Sequence, residues 1–395
     1  MNIYADNAAT TKMSSTAIQA MLPFFDQIYG NPSSLHTPGQ QAAEALQQSR
    51  TIIAQNLGCE PEEIIFTSGG SESDNQAILS AAQIGQRKGK KHIVSSAFEH
   101  HGVLHTLKKL EKQGFEITLL SIPQNGVINP KQVEDAIRSD TCLVTIMYAN
   151  NEIGTIQPVS EIGKICRKKG VLFHSDAVQA AGHLPINVKE QQIDLLSISA
   201  HKFHGPKGVG ALYAKRGIPL ISVIEGGAQE KGRRAGTENI PAIAAMAAAL
   251  QEACANQEKN SAKTAALRDQ LIQGLSQIPH SILNGDKTQR LPGNVSFCFE
   301  GIEGESLLLL LDMKGIYASS GSACTSGSLD PSHVLLALGR PHEIAHGSLR
   351  LTINEENTPE EMEYMIQQIQ EVVAYLRSIS PVWRDLESGK ASHII

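Results

Sequence analysis

The chain has 395 residues, 41% of them hydrophobic but only 4% aromatic, with 33 glycines and a formal net charge of −6. That length exceeds what one simple core accommodates, so a large domain with a smaller companion is expected, and the composition is that of a folded α/β protein rather than a disordered chain. The acidic balance, interrupted only by the short basic run from Arg87 to Lys91, argues against direct nucleic-acid binding.

Residues 1–12 hold no apolar stretch of signal-peptide length, and the longest leucine run, Leu307 to Leu311, is too short to span a bilayer. A cytoplasmic protein without membrane contact is expected. From Ile64 to Tyr213, short apolar runs alternate with amphipathic ones in the rhythm of a mostly parallel sheet. The candidate strands are Ile64 to Phe66, His92 to Ser95, Glu116 to Leu120, Cys142 to Tyr148, Val171 to His174, Asp194 to Ser199 and Val209 to Tyr213. Between them, Val103 to Gln113 and Val159 to Lys169 carry apolar residues at helical spacing and end at Gly114 and Gly170, both suitable stop signals. After Ile240 an Ala-rich stretch predicts a long helix reaching about Leu275. Strands are predicted near Val295 to Phe299 and Leu349 to Ile353, a helix over Thr358 to Leu376, and an unstructured tail over Glu387 to Ile395. Residues 16–257 are therefore assigned to the large domain, and residues 1–15 with 258–395 to a smaller α+β domain.

Three segments carry candidate chemistry. Thr67-Ser68-Gly69-Gly70-Ser71 joins a predicted strand to a predicted helix, which would aim free backbone N–H groups at an anion. An ordinary Gly-rich turn is the competing reading. Without the G-x-x-x-x-G-K-[ST] pattern, a phosphate smaller than a nucleoside triphosphate fits better. Asp176, in His174-Ser175-Asp176-Ala177-Val178-Gln179, sits where loops at strand carboxyl ends meet ligands, although it could equally cap the next helix. Lys202 lies between His201 and His204 just before Gly205-Pro206. A lone loop lysine is usually solvated, but nearby positive charge and partial burial favour the neutral amine that attacks a carbonyl.

Six cysteines (Cys59, Cys142, Cys166, Cys254, Cys298 and Cys324) show no C-x-x-C spacing, so neither a zinc site nor a disulfide framework is expected. Cys324 alone stands in a run of small polar residues, Ser319 to Ser328, which suits an accessible nucleophile better than an inert core thiol.

Taken in order, Tyr4 to Thr11, Gly30 to Ser34, Phe66 to Asn75, Glu99-His100-His101, Asn150 to Gly154, the Lys202 segment and Ser319 to Ser328 resemble the fold-type I pyridoxal phosphate enzymes. Within that group the chain resembles the cysteine desulfurases of the NifS and IscS type over nearly its whole length. The resemblance implies pyridoxal 5′-phosphate held as a Schiff base on Lys202, Asp176 at the pyridine nitrogen and Gln179 at the phenolic oxygen. Gly70, Ser71, Ser199 and His201 would hold the phosphate, with Thr237 reaching it from the partner subunit of a homodimer. His100 would stack on the ring and move protons; a metal pair at His101 and His105 is the minor alternative. Asn151 and Arg350 would hold the carboxylate of L-cysteine, with a surface salt bridge as the plainer role for Arg350. The Cys324 thiolate would accept the sulfur as a persulfide and pass it to an acceptor protein, either an iron–sulfur scaffold or a thiolation enzyme. Selenocysteine lyase, aminotransferase and a catalytically silent docking partner are the rival expectations.

Overall fold

The computed structural model of the protein describes residues 1–320 and 331–395. After a short strand β1 (Ile3–Tyr4), seven strands build one sheet: β2 (Ile64–Thr67), β3 (His92–Ser96), β4 (Glu116–Leu120), β5 (Thr141–Thr145), β6 (Leu172–Asp176), β7 (Leu195–Ser199) and β8 (Gly210–Ala214). Their order is β2-β8-β7-β6-β5-β3-β4, and only β8 runs against the rest. The expected α/β fold with a large, mostly parallel sheet is present. Helices cover the sheet, so β3, β5 and β7 are buried along their full length, which is why they read as apolar runs without alternation.

Local signals explain the connecting helices. Helix Val159–Lys169 carries Glu161 in its first turn and Arg167, Lys168 and Lys169 in its last, charges that complement the helix dipole. It stops at Gly170, whose φ of 64° is a left-handed cap that glycine adopts without strain.

A second body follows the large sheet. Strands β9 (Ser281–Leu283), β10 (Asn294–Phe299) and β12 (Ser348–Thr352) form an antiparallel sheet in the order β12-β10-β9, and β11 (Ile316–Tyr317) pairs in parallel with β1. Its core joins Ile3 and Ala5 to Leu271, Phe297, Leu349 and Met365. The chain's first residues thus pack with its last third. Val334, Leu335 and Ile344, by contrast, pack into the core of the large sheet although they lie between β11 and β12 in sequence.

Three expectations need correction. The strand predicted over Cys142 to Tyr148 ends at Thr145, because the Met147 amide donates to the Glu99 carboxylate (3.0 Å) instead of to a strand neighbour. The long helix predicted from Ile240 to Leu275 is two helices, Ile240–Ala255 and Gln257–Leu275, broken at Asn256, whose φ of −102° and ψ of 4° leave the helical range. Finally, the tail carries no helix or strand after Glu387, as expected, but its end is tied down. Helix Pro381–Glu387 precedes it, and beyond that the Ile394 amide and the His393 ring both bond the Glu300 carboxylate.

Packing between helix Val159–Lys169 and the turn before β7 leaves no space at Gly163, where an added Cβ would overlap the main-chain oxygen of Gln191. Gly163→Ala is expected to cost about 1–3 kcal/mol, as overpacking does, and urea unfolding of the purified variant should show a midpoint below wild type.

Candidate active site

Five strands release functional residues at their carboxyl ends, and parallel alignment puts those ends on one edge of the sheet. From β2 the chain enters Gly69 and Gly70; from β3, Glu99 and His100; from β5, Asn150 and Asn151. Asp176 is the last residue of β6, and Lys202 lies three residues past β7 in a short 3₁₀ turn.

The phosphate-type seat is the N-terminus of helix Gly70–Arg87. No side chain caps it, so its first amides have no partner within the helix. Gly69 has φ 152° and ψ −175°, accessible only to glycine, and a Cβ there would stand 3.6 Å from the Ser199 hydroxyl. At Gly70 a Cβ would sit 2.6 Å from Val178 Cγ2, so glycine is needed for close packing as well. Ser71 Oγ, His100 Nδ1 and Asp74 Oδ2 all lie within 3.1–3.3 Å of the position a Cβ on Gly102 would take, which brings the helix start and the β3 loop together. Ser71, His100, His101 and His105 line a depression of about 370 Å³.

Beside the seat lies a buried acidic group. Asp176 is 5% exposed and its Oδ1 accepts the Val178 amide at 2.9 Å, so the capping contact weighed from sequence exists. Ligand atoms of Asp176, Asp74 and His100 lie within 4.8 Å of one another. Asp74 is 1% exposed, and its polar neighbours are the Ser197 side chain and His174 Nε2, 3.6 Å from its Oδ1. Burial, then repulsion from Asp176, pushes Asp74 well above the carboxylate range, so it holds its proton. Burial raises Asp176 as well, although His100, the Val178 amide and Lys202 all act against that shift. His100 Nδ1 accepts the Gly102 amide at 3.0 Å, which leaves Nε2 as the donor atom of the ring. Glu99 is fully buried, bonded to Ser96 Oγ at 2.5 Å and to the Met147 amide, and burial raises its carboxyl to about 8.

Lys202 Nζ donates to the main-chain oxygens of Ala8 (2.6 Å) and Ala9 (2.7 Å), and Gln179 Nε2 donates to the same Ala8 oxygen at 3.0 Å. The N-terminal segment therefore sets both side chains. His201 Nδ1 lies 3.2 Å from Thr10 Oγ1; burial first, then Lys202 and Lys207, lowers its ring to about 4, so it is neutral near pH 7.

Arg350, in β12, is not a surface residue: it is 3% exposed, and its Nη2 pairs with Asp6 Oδ1 at 2.8 Å while Nη1 reaches the Asn151 main-chain oxygen at 3.5 Å. Its Nε is buried without a partner among the described residues. Cys324 lies outside the described residues, but both neighbouring stretches meet this corner. Ser319 exchanges main-chain bonds with Arg350 (3.2 and 2.7 Å), and the Ser332 hydroxyl donates to Glu152. Burial raises Glu152 to about 7, against the opposing influence of Ser332 and Arg350. Thr237 is exposed, and Arg234 nearby pairs with Glu72 at 3.0 Å, which ties that segment to the helix that begins at Gly70.

Asp74, Glu152 and the Asp6 partnership were not singled out from the sequence. The available signal for Asp74 was a run of polar residues, Ser73, Asp74 and Gln76, on a helix face that turns out buried. The minor alternative at His101 and His105 brings their ring centroids to 5.0 Å, with a third ring, His333, at 4.5 Å from His101. Burial and these neighbours lower His101 to about 4.

Comparison with known proteins gives a consistent result. Residues 3–365 match the family model for aminotransferase class-V. The cysteine desulfurase IscS of Methanosarcina thermophila is 52% identical over 380 residues, covering 96% of this chain and 94% of that protein. The cysteine desulfurase IscS of Clostridium botulinum (strain Hall) is 48% identical over 391 residues, covering 98% of each. Among solved structures, a NifS-like protein superposes with a TM-score of 0.89 at 37% identity, covering 95% of this chain and 100% of that one.

The buried carboxyls imply an unusual stability profile. Glu99, at about 8, lies above its ordinary 4.5, so between those values the folded chain keeps a proton that the unfolded chain releases. Folding stability should therefore fall as pH rises through that window, and Glu99→Gln should flatten the fall. Urea midpoints across the window will test this; equal slopes for wild type and variant would contradict a neutral, buried Glu99.

Proposed function

The chain belongs to the class-V aminotransferase family, and from that premise we propose that it is a cysteine desulfurase that converts L-cysteine to L-alanine and takes the sulfur onto Cys324. The observation that carries the reading is the position of Ser319 and Ser332, on either side of the Cys324 stretch, against Arg350 and Glu152 beside Asn151. An aminotransferase has no need of a thiol there. The described thiols are poor competitors: burial raises Cys59 and Cys166 to about 12, Cys142 and Cys298 to about 11, and Cys254 upward as well.

The residues present fit pyridoxal 5′-phosphate. An uncapped helix start with Gly70, Ser71 and Ser199 suits the phosphate, and the buried carboxyl of Asp176, whose ionised form His100, the Val178 amide and Lys202 support, suits a protonated ring nitrogen. Neutral His201 would serve as a hydrogen-bonding partner of the phosphate rather than as a cation. When bound, the cofactor supplies an electron-withdrawing ring that stabilises negative charge at the substrate α-carbon.

The chain's own residues do the rest. Lys202, held by the Ala8 and Ala9 carbonyls, would be the covalent anchor and would move the α-proton; His100 would stack on the cofactor ring and use Nε2 for protons in transit. Arg350 and Asn151 orient the substrate carboxylate, with Arg350 Nε as an available donor and Asp6 fixing the guanidinium plane. The Cys324 thiolate attacks the substrate sulfur; the carbon–sulfur bond breaks and a sulfur–sulfur bond forms. L-cysteine and Cys324–SH together become L-alanine and Cys324–S–SH, so atoms and electrons balance.

We read residues 16–257 as the cofactor-holding domain, and residues 1–15 with 258–395 as the smaller domain that brings Arg350 and the nucleophile. Thr237, exposed on its own chain, would complete the phosphate seat of a partner in a homodimer. No helix among the described residues is long and apolar enough to cross a membrane, and a cytoplasmic enzyme serving an acceptor protein, whether iron–sulfur scaffold or thiolation enzyme, suits the reading.

Product analysis separates the rivals. Cys324→Ser should retain the cofactor's visible absorbance yet lose transfer of cysteine sulfur to an acceptor; transfer at the wild-type rate would sink the assignment. Lys202→Ala should lose the borohydride-reducible adduct and at least about 10²–10⁴-fold in alanine production, the range for a positioned acid–base group. Arg350→Ala should raise KM for L-cysteine by roughly ten- to a hundredfold, as loss of a charged hydrogen bond worth about 1.5–3 kcal/mol requires.

A further inference from the structure

The two histidines that flank Lys202 both reach back to the N-terminal segment, and only His201 has a task in the proposed chemistry. His201 serves the phosphate, and its Nδ1 lies 3.2 Å from Thr10 Oγ1. His204 has the backbone of a left-handed residue, with φ at 63°, which is uncommon for residues other than glycine. Glycine would take this conformation without strain, so an imidazole at this position calls for a reason in what the ring touches.

The ring touches the strap formed by residues 7–14. His204 Nδ1 stands 3.0 Å from the Lys12 main-chain oxygen, which can only accept, so Nδ1 donates. The main chain of His204 makes two further ties: its amide donates to Thr11 Oγ1 at 2.8 Å, and its carbonyl accepts the Ser14 amide at 3.0 Å. Thr11 in turn bonds the His201 oxygen through its amide and its hydroxyl, at 2.9 and 3.0 Å. On its other side the strap borders a cavity of about 470 Å³ whose walls include Lys12, Ser14, His183 and His204. Hydrogen bonds rather than close packing therefore fix much of this end of the strap. The opposite end is tied to β12, where Asn7 and Ala8 bond Thr352.

Between the two ties lie the oxygens of Ala8 and Ala9 that receive Lys202 Nζ. A neutral amine that gives its two N–H groups to two fixed oxygens has the direction of its lone pair fixed as well, and the lone pair is what bonds a carbonyl carbon or takes a proton. We propose that His204 is a positioning residue for the reaction: its ring pins the Lys12 end of the strap, and the strap orients Nζ of Lys202. The inference rests on the cofactor reading of Lys202 and gives His204 no contact with substrate or cofactor.

Glycine and asparagine both tolerate the left-handed backbone, and the asparagine amide stands near the place of imidazole Nδ1, so two substitutions separate ring from main chain. Full-length protein freed of cofactor should be mixed with pyridoxal 5′-phosphate, the visible absorbance followed and the adduct trapped with borohydride. On the loaded protein, kcat and KM for L-cysteine are then measured. His204→Gly is expected to keep a urea midpoint close to that of wild type, yet to take up cofactor at least about tenfold more slowly and to lose kcat by a similar factor, since misplacement of a reacting group by about 1 Å costs up to a hundredfold. KM should stay unchanged, because Arg350 keeps its ties to Asp6 and Asn151. His204→Asn should recover most of both losses. Uptake and kcat at wild-type values in His204→Gly, an asparagine variant no faster than the glycine variant, or losses that simply follow a fall in urea midpoint across both would overturn the role of the ring. Failure of the wild-type chain itself to form the adduct is a distinct result, and would remove the cofactor reading and the inference together.

Discussion

Six of the seven strands in the large sheet run the same way, and that one constraint places Gly70, His100, Asn151, Asp176 and Lys202 at a common edge. These residues are distant in sequence, and no short-range signal brings them together. Right-handed crossovers return the chain to the same end of the sheet after each helix, so every strand ends facing the same space. The helix start at Gly70 then offers its amides to that space while the body of the helix packs on the sheet.

Concentrating such groups beneath a sheet edge buries acids without enough cations, and the chain resolves this by keeping most of them neutral. Asp74, Glu99 and Glu152 are all held above the ordinary carboxylate range by burial. Asp176 is raised by burial too, but there His100, the Val178 amide and Lys202 act against the shift, so it is the member of the group with the most support for its ionised form.

The N-terminal segment links the two bodies of the protein at this point. Strand β1 pairs with β11 and packs in the smaller core, yet a few residues later the carboxylate of Asp6 fixes Arg350 and the carbonyls of Ala8 and Ala9 hold Lys202. Thr352 receives the Asn7 amide into its carbonyl and supplies its side-chain oxygen to the Ala8 amide, so the same segment is tied to β12. A displacement of these residues would move Lys202 and Arg350 together.

What the sequence determined by itself was local. Apolar runs identified the parallel strands, Gly170 ended its helix, and the Gly69-Gly70 turn marked an uncapped helix start, because strand burial, left-handed caps and helix starts each depend on a few consecutive residues. The Arg350 environment was different: a surface ion pair and a buried one look alike in sequence, and only the approach of Asp6 and Asn151 from 344 and 199 residues away decided between them. Likewise the break at Asn256, the early end of β5 and the seating of the tail on Glu300 were settled by tertiary contacts, since the partner of each backbone or side-chain group comes from a remote part of the chain. Hydrogen-bond satisfaction in a buried setting is a property of the assembled fold, so it became readable only once the elements had packed.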